Sequence, residues 1–170
     1  MTAYKNIKEN LQEQRKERSG DYKETLLEAR KDPTVIRLDK PTNIPRARAL
    51  GYKAKQGFVV ARVKVKRGSG MHSRPKSGRR PKRMGVNKLT RKKSKGMIAE
   101  ERAQRKFPNM EVLNSYRVCE DGKGVWFEVI LVDPAHKRVQ KDTTVSWTSR
   151  DKNRVHRGRT STGRKAAGKR

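Results

Sequence analysis

One long stretch of this chain contains no acidic residue. The 60 residues from Lys40 to Ala99 include 20 lysines and arginines and neither aspartate nor glutamate. Such a segment cannot neutralise its own charge through internal ion pairs, so it stays solvated and self-repelling unless it meets an external polyanion. This limits how much of the chain can enter a compact core, and it indicates nucleic acid as the partner.

The composition of the whole chain agrees with a small core. The 170 residues include 46 basic and 17 acidic side chains, a formal net charge of +29, and 31% of the residues are hydrophobic. Such a chain can bury one modest core and leaves much of its length outside it. We expect an N-terminal helical segment (1–40), an α+β core with a long basic loop (41–148, loop 67–95) and a basic C-terminal tail (149–170).

Cysteine usage and hydropathy bear on where the protein resides. Cys119 is the single cysteine, so no intramolecular disulfide can form, which fits a reducing compartment. No apolar stretch approaches the roughly 20 residues that span a bilayer, and the N-terminus lacks the apolar core of a signal peptide. We expect a soluble intracellular protein without membrane contact.

Two helices are predicted near the N-terminus. Apolar side chains recur at helical spacing in two groups: Tyr4, Ile7 and Leu11, then Tyr22, Leu26 and Ala29. Ser19-Gly20 ends the first helix, Asp21 is the expected cap of the second, and Asp32-Pro33 ends it. Both apolar stripes are thin, so these helices should pack on a larger unit.

The acid-free window itself contains a predicted helix and a predicted strand. Thr42-Asn43-Ile44-Pro45 provides a capping side chain and a proline in the first turn, and Gly51 fits a left-handed C-terminal cap. Residues 58–66 then form a strand in which Val59, Ala61, Val63 and Val65 face a core. Arg62, Lys64 and Lys66 should face away from it.

Residues 67–95 combine glycine, proline and 12 basic residues with almost no large apolar side chain. This segment should order only on a partner. The same is expected of the tail from Arg150 onward, which has nine basic residues and one acid.

The second half of the chain contains the strongest hairpin pattern. A helix is expected from Gly96 to Phe107, followed by β-rich runs at 112–118 and 125–132 joined by Glu120-Asp121-Gly122-Lys123. A short helix should open at Asp133-Pro134 and reach Gln140, and 143–148 is predicted as a short β segment around Trp147. The core is thus three strands plus packing helices, an α+β arrangement.

The charge pattern favours structured RNA over DNA, because there is no base-reading helix, zinc-finger spacing or dimerising heptad. Tyr52 and Phe58 flank the cationic turn Lys53–Gly57, where either ring can stack on a base or Phe58 can belong to the core. We expect RNA contacts from the following residues: Arg46, Arg48, Tyr52, Lys53, Lys55, Gln56, Arg62, Lys64, Lys66, Arg67, His72, Arg74, Lys76, Arg79, Arg80, Lys82, Arg83, Lys88, Arg91, Lys92, Lys93, Arg154, Arg157, Arg159, Arg164 and Lys165.

Catalysis and metal binding find little support in the sequence. His72, His136 and His156 are far apart in basic or loop-like surroundings, which suits phosphate or 2′-hydroxyl contact better than acid-base work. Glu100 and Glu101 are interpreted as surface carboxylates paired with Lys or Arg or placed in a first helical turn. We expect no cofactor, no metal and no small-molecule substrate. An architectural DNA- or RNA-compaction protein and an RNA-modifying enzyme are the alternatives.

Four blocks of sequence resemble one family in their order and spacing. They are Gly51-Tyr52-Lys53-Ala54-Lys55-Gln56-Gly57-Phe58-Val59-Val60-Ala61-Arg62-Val63, Ala99-Glu100-Glu101-Arg102-Ala103, Val112-Leu113-Asn114-Ser115-Tyr116 and Glu128-Val129-Ile130-Leu131-Val132-Asp133-Pro134. The family is the archaeal and eukaryotic e-type large-subunit ribosomal protein fifteen, and the chain looks archaeal. The resemblance runs from about Leu38 to Gly168, and the first 37 residues fit only loosely apart from Tyr4.

The resemblance implies a structural constituent of the large ribosomal subunit in the cytoplasm. It implies binding to large-subunit ribosomal RNA, contact with neighbouring large-subunit proteins and no enzymatic activity. It also implies a small α+β domain with a mostly antiparallel sheet, in which the turn Lys53–Gly57, the loop Arg67–Lys93 and the tail Arg157–Arg170 enter the RNA.

Overall fold

A four-stranded antiparallel sheet organises the computed structural model, which describes residues 3–68, 73–86 and 91–168. The strands are β1 (Val35–Leu38), β2 (Phe58–Lys66), β3 (Glu111–Glu120) and β4 (Gly124–Val132), in the spatial order β1-β2-β4-β3. The α+β class and the three predicted strands are confirmed. The count of three was one too few, because β1 has only four residues and shows too little alternation to predict.

Helices cover both faces of this sheet. They are α1 (Ala3–Glu17), α2 (Gly20–Lys31), α3 (Ile44–Ala49), α4 (Lys95–Lys106), α5 (Lys137–Gln140) and α6 (Ser161–Ala166), with 3-10 turns at Pro81–Arg83 and Ser146–Ser149. No helix within the described ranges is long and apolar enough to cross a membrane.

The caps of α3 and α4 show why these helices begin where they do. The Asn43 side chain accepts a hydrogen bond from the Arg46 backbone N–H at 2.9 Å, with Pro45 in the first turn. Beyond the last turn of α3, Gly51 has φ +99°, which is the left-handed conformation expected there. The Ser94 hydroxyl accepts from the Met97 N–H at 3.2 Å and starts α4.

Three local predictions were wrong. Ser19 rather than Asp21 is the N-cap of α2, and Asp21 lies in the first turn, where its charge is favourable. The helix expected at Asp133 begins three residues after the proline with His136 as its cap, because Asp133 instead accepts from the Ala135 N–H at 2.9 Å. Around Trp147 the chain forms a 3-10 turn and not a β segment.

The first face of the sheet packs against α4. Val59, Ala61, Val63 and Val65 of β2 lie in one buried cluster with Val129 and Leu131 of β4 and Ala99 and Ala103 of α4. Alanines on the helix let it approach the valine-rich strands closely. Val155, from the C-terminal segment, is fully buried in the same cluster.

The opposite face is also buried, which the sequence analysis did not predict. Ala47 of α3 and Val139 of α5 join Leu113, Tyr116, Ile130 and Val132 in a second cluster. Ala29 of α2 joins Cys119 and Trp126 in a third, where the indole N–H donates to the Ala29 carbonyl at 2.8 Å. The sheet is therefore the middle layer of three.

The strand β3 lies at an edge of the sheet and is irregular. Its pairing with β4 shifts between Val112 and Asn114 and again between Arg117 and Cys119. Such shifts are typical of β-bulges, which twist a strand and interrupt its row of hydrogen bonds.

Gly57 joins the cationic turn to β2 in a position that only glycine fits. Its φ is +91°, and a Cβ there would lie 2.6 Å from Val139 Cγ2. We expect Gly57→Ala to lower the free energy of unfolding by roughly 1–3 kcal/mol through strain and overpacking. Urea denaturation measures this change. As a control, Gly122→Ala meets nothing within 4 Å and should have little effect; equal stability of both variants would contradict the assignment.

Cys119 should be nearly unreactive in the folded protein. The residue is fully buried, and burial raises the pKa of its thiol to about 11, so the thiolate fraction at pH 8 is very small. Titration with an aromatic disulfide reagent at pH 8 should show slow labelling in native buffer and fast labelling in denaturant. Ala54→Cys in a Cys119→Ala background supplies an exposed thiol as the fast control. Rapid native labelling of Cys119 would show that this part of the core is open.

Candidate nucleic-acid interface

The described part of the basic loop presents its cations to solvent. Arg74, Lys76, Arg79, Arg80, Lys82 and Arg83 are all exposed, and a 3-10 turn at Pro81–Arg83 is its one regular element within residues 73–86. His72 and Lys88, also expected to contact RNA, lie outside the described residues. This segment therefore offers closely spaced positive charge without burying any of it.

The two ends of the loop are attached to the core. Arg67 Nη1 donates to the Asp121 carbonyl at 3.0 Å, which joins the end of β2 to the hairpin turn. At the other end Lys93 Nζ lies 2.7 Å from Glu101 Oε1 of α4. Arg91 and Lys92 between them are exposed. The loop thus leaves and re-enters the fold at fixed points.

The cationic turn at 53–57 lies beside a second basic element that the sequence analysis missed. Lys53 Nζ contacts Asp142 Oδ2 at 2.5 Å and Thr144 Oγ1 at 2.8 Å, while Lys55 and Gln56 are exposed. The hydrogen bond from Lys53, and to a smaller extent the one from Thr144, lowers the pKa of Asp142 to about 2. Arg138 and Lys141, on and after α5, line the same depression as Lys53 and Lys55. The sequence indicates this element only through the basic residues Lys137, Arg138 and Lys141, which lie close together in the chain.

The rings of Tyr52 and Phe58 contact each other edge to face, with centroids 6.3 Å apart. Both are half-buried and pack against the second core cluster. Phe58 therefore packs against the core, which was one of the two expectations for it. Stacking on a base stays a prediction for the exposed part of either ring.

The exposed cations near the N-terminal helices include Arg46 and Arg48 of α3. The Arg48 guanidinium lies 5.2 Å from the centre of the Tyr4 ring, a cation–π contact that joins α1 to α3. On β2, Lys66 is exposed, and Lys64 is half-buried with its ammonium 5.2 Å from the Trp126 ring.

Arg62 does not lie on the surface, so the expectation of an outward cationic face on β2 was wrong at this residue. The strand register aligns Arg62 of β2, Glu128 of β4 and Tyr116 of β3 in one row across the sheet. Arg62 is 8% exposed, donates to Asp32 Oδ2 at 3.0 Å and lies 3.9 Å from Glu128 Oε1. A guanidinium used in this way holds the fold together and is not free for phosphate.

Glu128 is fully buried at the centre of this row. Its carboxylate accepts from the Thr42 N–H at 3.1 Å, from the Thr42 hydroxyl at 2.5 Å and from the Tyr116 hydroxyl. Burial raises the pKa of Tyr116, and the charge of Glu128 raises it further, so the phenol keeps the proton that it donates.

The C-terminal segment is packed on the core and does not form the separate tail that was expected. Arg154 is 8% exposed; its Nη1 donates to the Val112 carbonyl at 2.8 Å and its guanidinium lies 4.3 Å from the Trp147 ring. Arg157 and Arg159 both bond to Asp151 and keep exposed side chains. Arg164 and Lys165 of α6 are exposed.

Glu100 explains why this segment stays in place. It was expected on the surface but is fully buried, and it accepts hydrogen bonds from Ser115 at 2.6 Å, Thr160 at 2.7 Å and Thr162 at 3.0 Å. Three hydroxyls from β3 and the start of α6 thus satisfy one α4 carboxylate. Its neighbour Glu101 does pair with Lys93 and Arg105, as expected, although it is buried too.

All the acidic residues in the second half of the chain form contacts within the protein. Each of the nine from Glu100 onward has a hydrogen-bond or ion-pair partner within the chain. By contrast, within the described part of the acid-free window only Lys53, Arg62 and Lys93 form ion pairs. The other described cations of that window form no ion pair with a described residue.

Among the described residues no group of three or more His, Cys, Asp or Glu is placed to hold a metal ion. His136 is occupied as the cap of α5, where Nδ1 accepts from the Arg138 N–H at 3.2 Å, and His156 is exposed. The arrangement therefore offers positive charge at defined places on a rigid support.

Comparison with known proteins identifies relatives of this chain. Residues 2–170 match the family described as Ribosomal L15. The chain is also 49% identical over 172 residues to the large ribosomal subunit protein eL15 of the archaeon Methanocella arvoryzae, a match that covers 99% of this chain and 88% of that protein. The family match starts at residue 2, so it extends further towards the N-terminus than the expected start near Leu38. How closely the first 37 residues fit the family stays a prediction.

The structural and surface cations of β2 can be separated by mutation. Arg62→Ala leaves Asp32 and Glu128 without their buried cation, so the free energy of unfolding should fall by about 3–5 kcal/mol. Lys66→Ala, on the exposed end of the same strand, should change it by less than about 0.5 kcal/mol. Urea denaturation of the two variants measures the difference, and similar losses in both would contradict the buried role of Arg62.

Proposed function

Because this chain belongs to the e-type Ribosomal L15 family, we propose that it is a structural constituent of the large ribosomal subunit and binds large-subunit ribosomal RNA. The observation that carries the RNA-binding part is the contrast between paired acids and unpaired cations. The acids after Ala99 are engaged inside the chain, whereas most described cations of the acid-free window have no ion pair.

The proposed mechanism is electrostatic. Exposed Lys and Arg side chains replace the counterions condensed on RNA phosphates, so affinity falls steeply as the salt concentration rises. The six exposed cations from Arg74 to Arg83 form the densest described group and supply the largest share of the electrostatic binding free energy. The turn at 53–57, together with Arg138 and Lys141, forms a second contact, and Arg157, Arg164 and Lys165 a third.

The core gives these contacts their positions. Arg67 and Lys93 fix the ends of the basic loop, the Gly57 turn fixes the second contact against α5, and Glu100 fixes the C-terminal segment. Phosphate contacts of this kind determine register and orientation and carry no base sequence information themselves. Specificity then comes from the shape of the RNA at which the three contacts meet.

The family also supports a structural rather than catalytic role, with neighbouring large-subunit proteins as further partners and the cytoplasmic ribosome as the location. The structure removes two of the expected RNA contacts and leaves two others as predictions. Arg62 and Arg154 are omitted because both guanidiniums are buried, and His72 and Lys88 stay predictions outside the described residues.

Charge reversal in the basic loop tests the proposal. Replacing Arg79, Arg80, Lys82 and Arg83 by glutamate should reduce incorporation of the tagged protein into large subunits, measured by sedimentation of cell extracts. Replacing the same four by glutamine should lower the slope of log affinity against log salt by about 3, since each lost phosphate contact contributes roughly 0.7–0.9.

A matched control removes the same charge elsewhere. Lys16, Lys23, Lys31 and Lys106 are exposed on α1, α2 and α4. Their replacement by glutamate should leave incorporation intact, and their replacement by glutamine should leave most of the slope intact. Undiminished incorporation of the loop variant, or a preference of the wild type for long duplex DNA over folded ribosomal RNA at matched salt, would count against the proposal.

A further inference from the structure

A cavity of about 440 Å³ lies under α1, bounded by α2, α3 and β3. This is within the size range of small-molecule sites in proteins, about 300–1,000 Å³. The helix α1 covers it without burying a single residue completely, and it is held partly by the contact between Arg48 and Tyr4. We call this space the α1 cavity.

One part of the α1 cavity is cationic. Lys8 and Arg15 of α1, Arg46 of α3 and Arg117 of β3 line it, and its lining includes no Asp or Glu among the described residues. Arg117 is paired with Glu120, whereas Lys8, Arg15 and Arg46 form no ion pair with any described residue. Three unpaired cations around one cavity favour an anionic occupant.

The other part of its wall is aromatic and aliphatic. Tyr22, Tyr116, Leu11 and Val118 line it. Both phenol groups are already engaged, since Tyr116 donates to Glu128 and the Tyr22 oxygen accepts from the Glu120 N–H at 3.1 Å. The wall therefore offers carbon surface and not hydrogen bonds, and most of its accessible aromatic surface comes from the half-buried Tyr22, because Tyr116 is only 6% exposed.

A single unpaired nucleotide combines the two properties that this wall selects, a flat base and an attached phosphate. We propose that the α1 cavity receives one extruded nucleotide of the bound RNA, with its base against the tyrosine-lined wall and its phosphate beside Arg15 and Arg46. Single-stranded RNA is commonly recognised by stacking unpaired bases on aromatic side chains. This inference rests on the proposed function and adds a nucleotide subsite to it.

Binding of the full chain to two RNA hairpins at one salt concentration tests the subsite. The hairpins have the same paired stem and differ in one unpaired adenosine bulge. The wild type should bind the bulged hairpin roughly tenfold more tightly, a size typical of base stacking on an aromatic side chain. Ala49→Trp, which puts an indole into the cavity from α3, should abolish this preference and leave binding of the paired hairpin nearly unchanged.

Controls separate filling of the cavity from loss of the fold. Ala166→Trp places the same side chain at an exposed position away from the cavity and should keep the preference. Arg15→Gln should reduce the preference several-fold, whereas Lys16→Gln, at an exposed position outside the lining, should not. Thermal denaturation checks that each variant is folded, and the Arg15 pair decides the question if Ala49→Trp does not fold.

The outcomes distinguish the subsite from the proposed function. Equal affinity of the wild type for the two hairpins, or a preference retained by folded Ala49→Trp and by Arg15→Gln, overturns the subsite and leaves RNA binding intact. Failure to bind either hairpin at physiological salt contradicts the electrostatic mechanism of RNA binding, and the subsite with it.

A second measurement identifies the class of occupant in the assembled particle. A photoreactive side chain at Gln12, which lines the α1 cavity, should crosslink to RNA in purified large subunits, and one at the neighbouring Glu13 should do so much less. A crosslink from position 12 to a polypeptide alone, as an acidic peptide in the cavity would give, or no crosslink to RNA, overturns the proposal.

Discussion

The buried carboxylate of Glu128 is the interaction on which the rest of the fold depends. It lies fully enclosed at the centre of the sheet between Arg62 and Tyr116, and through Thr42 and Asp32 the same network reaches the start of α3 and the end of α2. A shift of β4 by one residue would turn this carboxylate towards the alanines of α4, where nothing could satisfy it. The network therefore fixes the strand register and attaches the N-terminal helices to one face of the sheet.

The use of acidic side chains for contacts within the protein connects the fold with the proposed function. Glu100, Glu128 and Asp151 hold the C-terminal segment, the sheet and the cluster of arginines at 154–159 in place. Since these carboxylates face inward or pair locally, they do little to offset the positive field outside. The protein thus combines a well-packed interior that contains buried charge with a surface on which positive charge dominates. Both properties depend on where these three carboxylates lie.

The sequence was sufficient wherever a local pattern decides the structure. Alternation predicted β2, the Asp121-Gly122 turn predicted the hairpin, and Asn43 with Pro45 predicted α3. It was insufficient wherever a partner distant in the chain decides the environment. Arg62 resembles any surface cation on an alternating strand, and only the approach of α2 and α3 reveals that it is buried; Glu100 likewise finds Thr160 sixty residues away. The α1 cavity has no sequence signature at all, because four separate elements form it.

The irregular pairing of β3 has a consequence for the protein before it reaches any partner. A free sheet edge is a template on which other chains can add strands, and a long flat edge leads to aggregation. Here one edge strand, β1, has only four residues, and the other, β3, is twice interrupted by register shifts. Neither presents an unbroken row of free backbone groups. Both edges are therefore poor templates for strands of a second copy, which lowers the tendency of the free chain to aggregate.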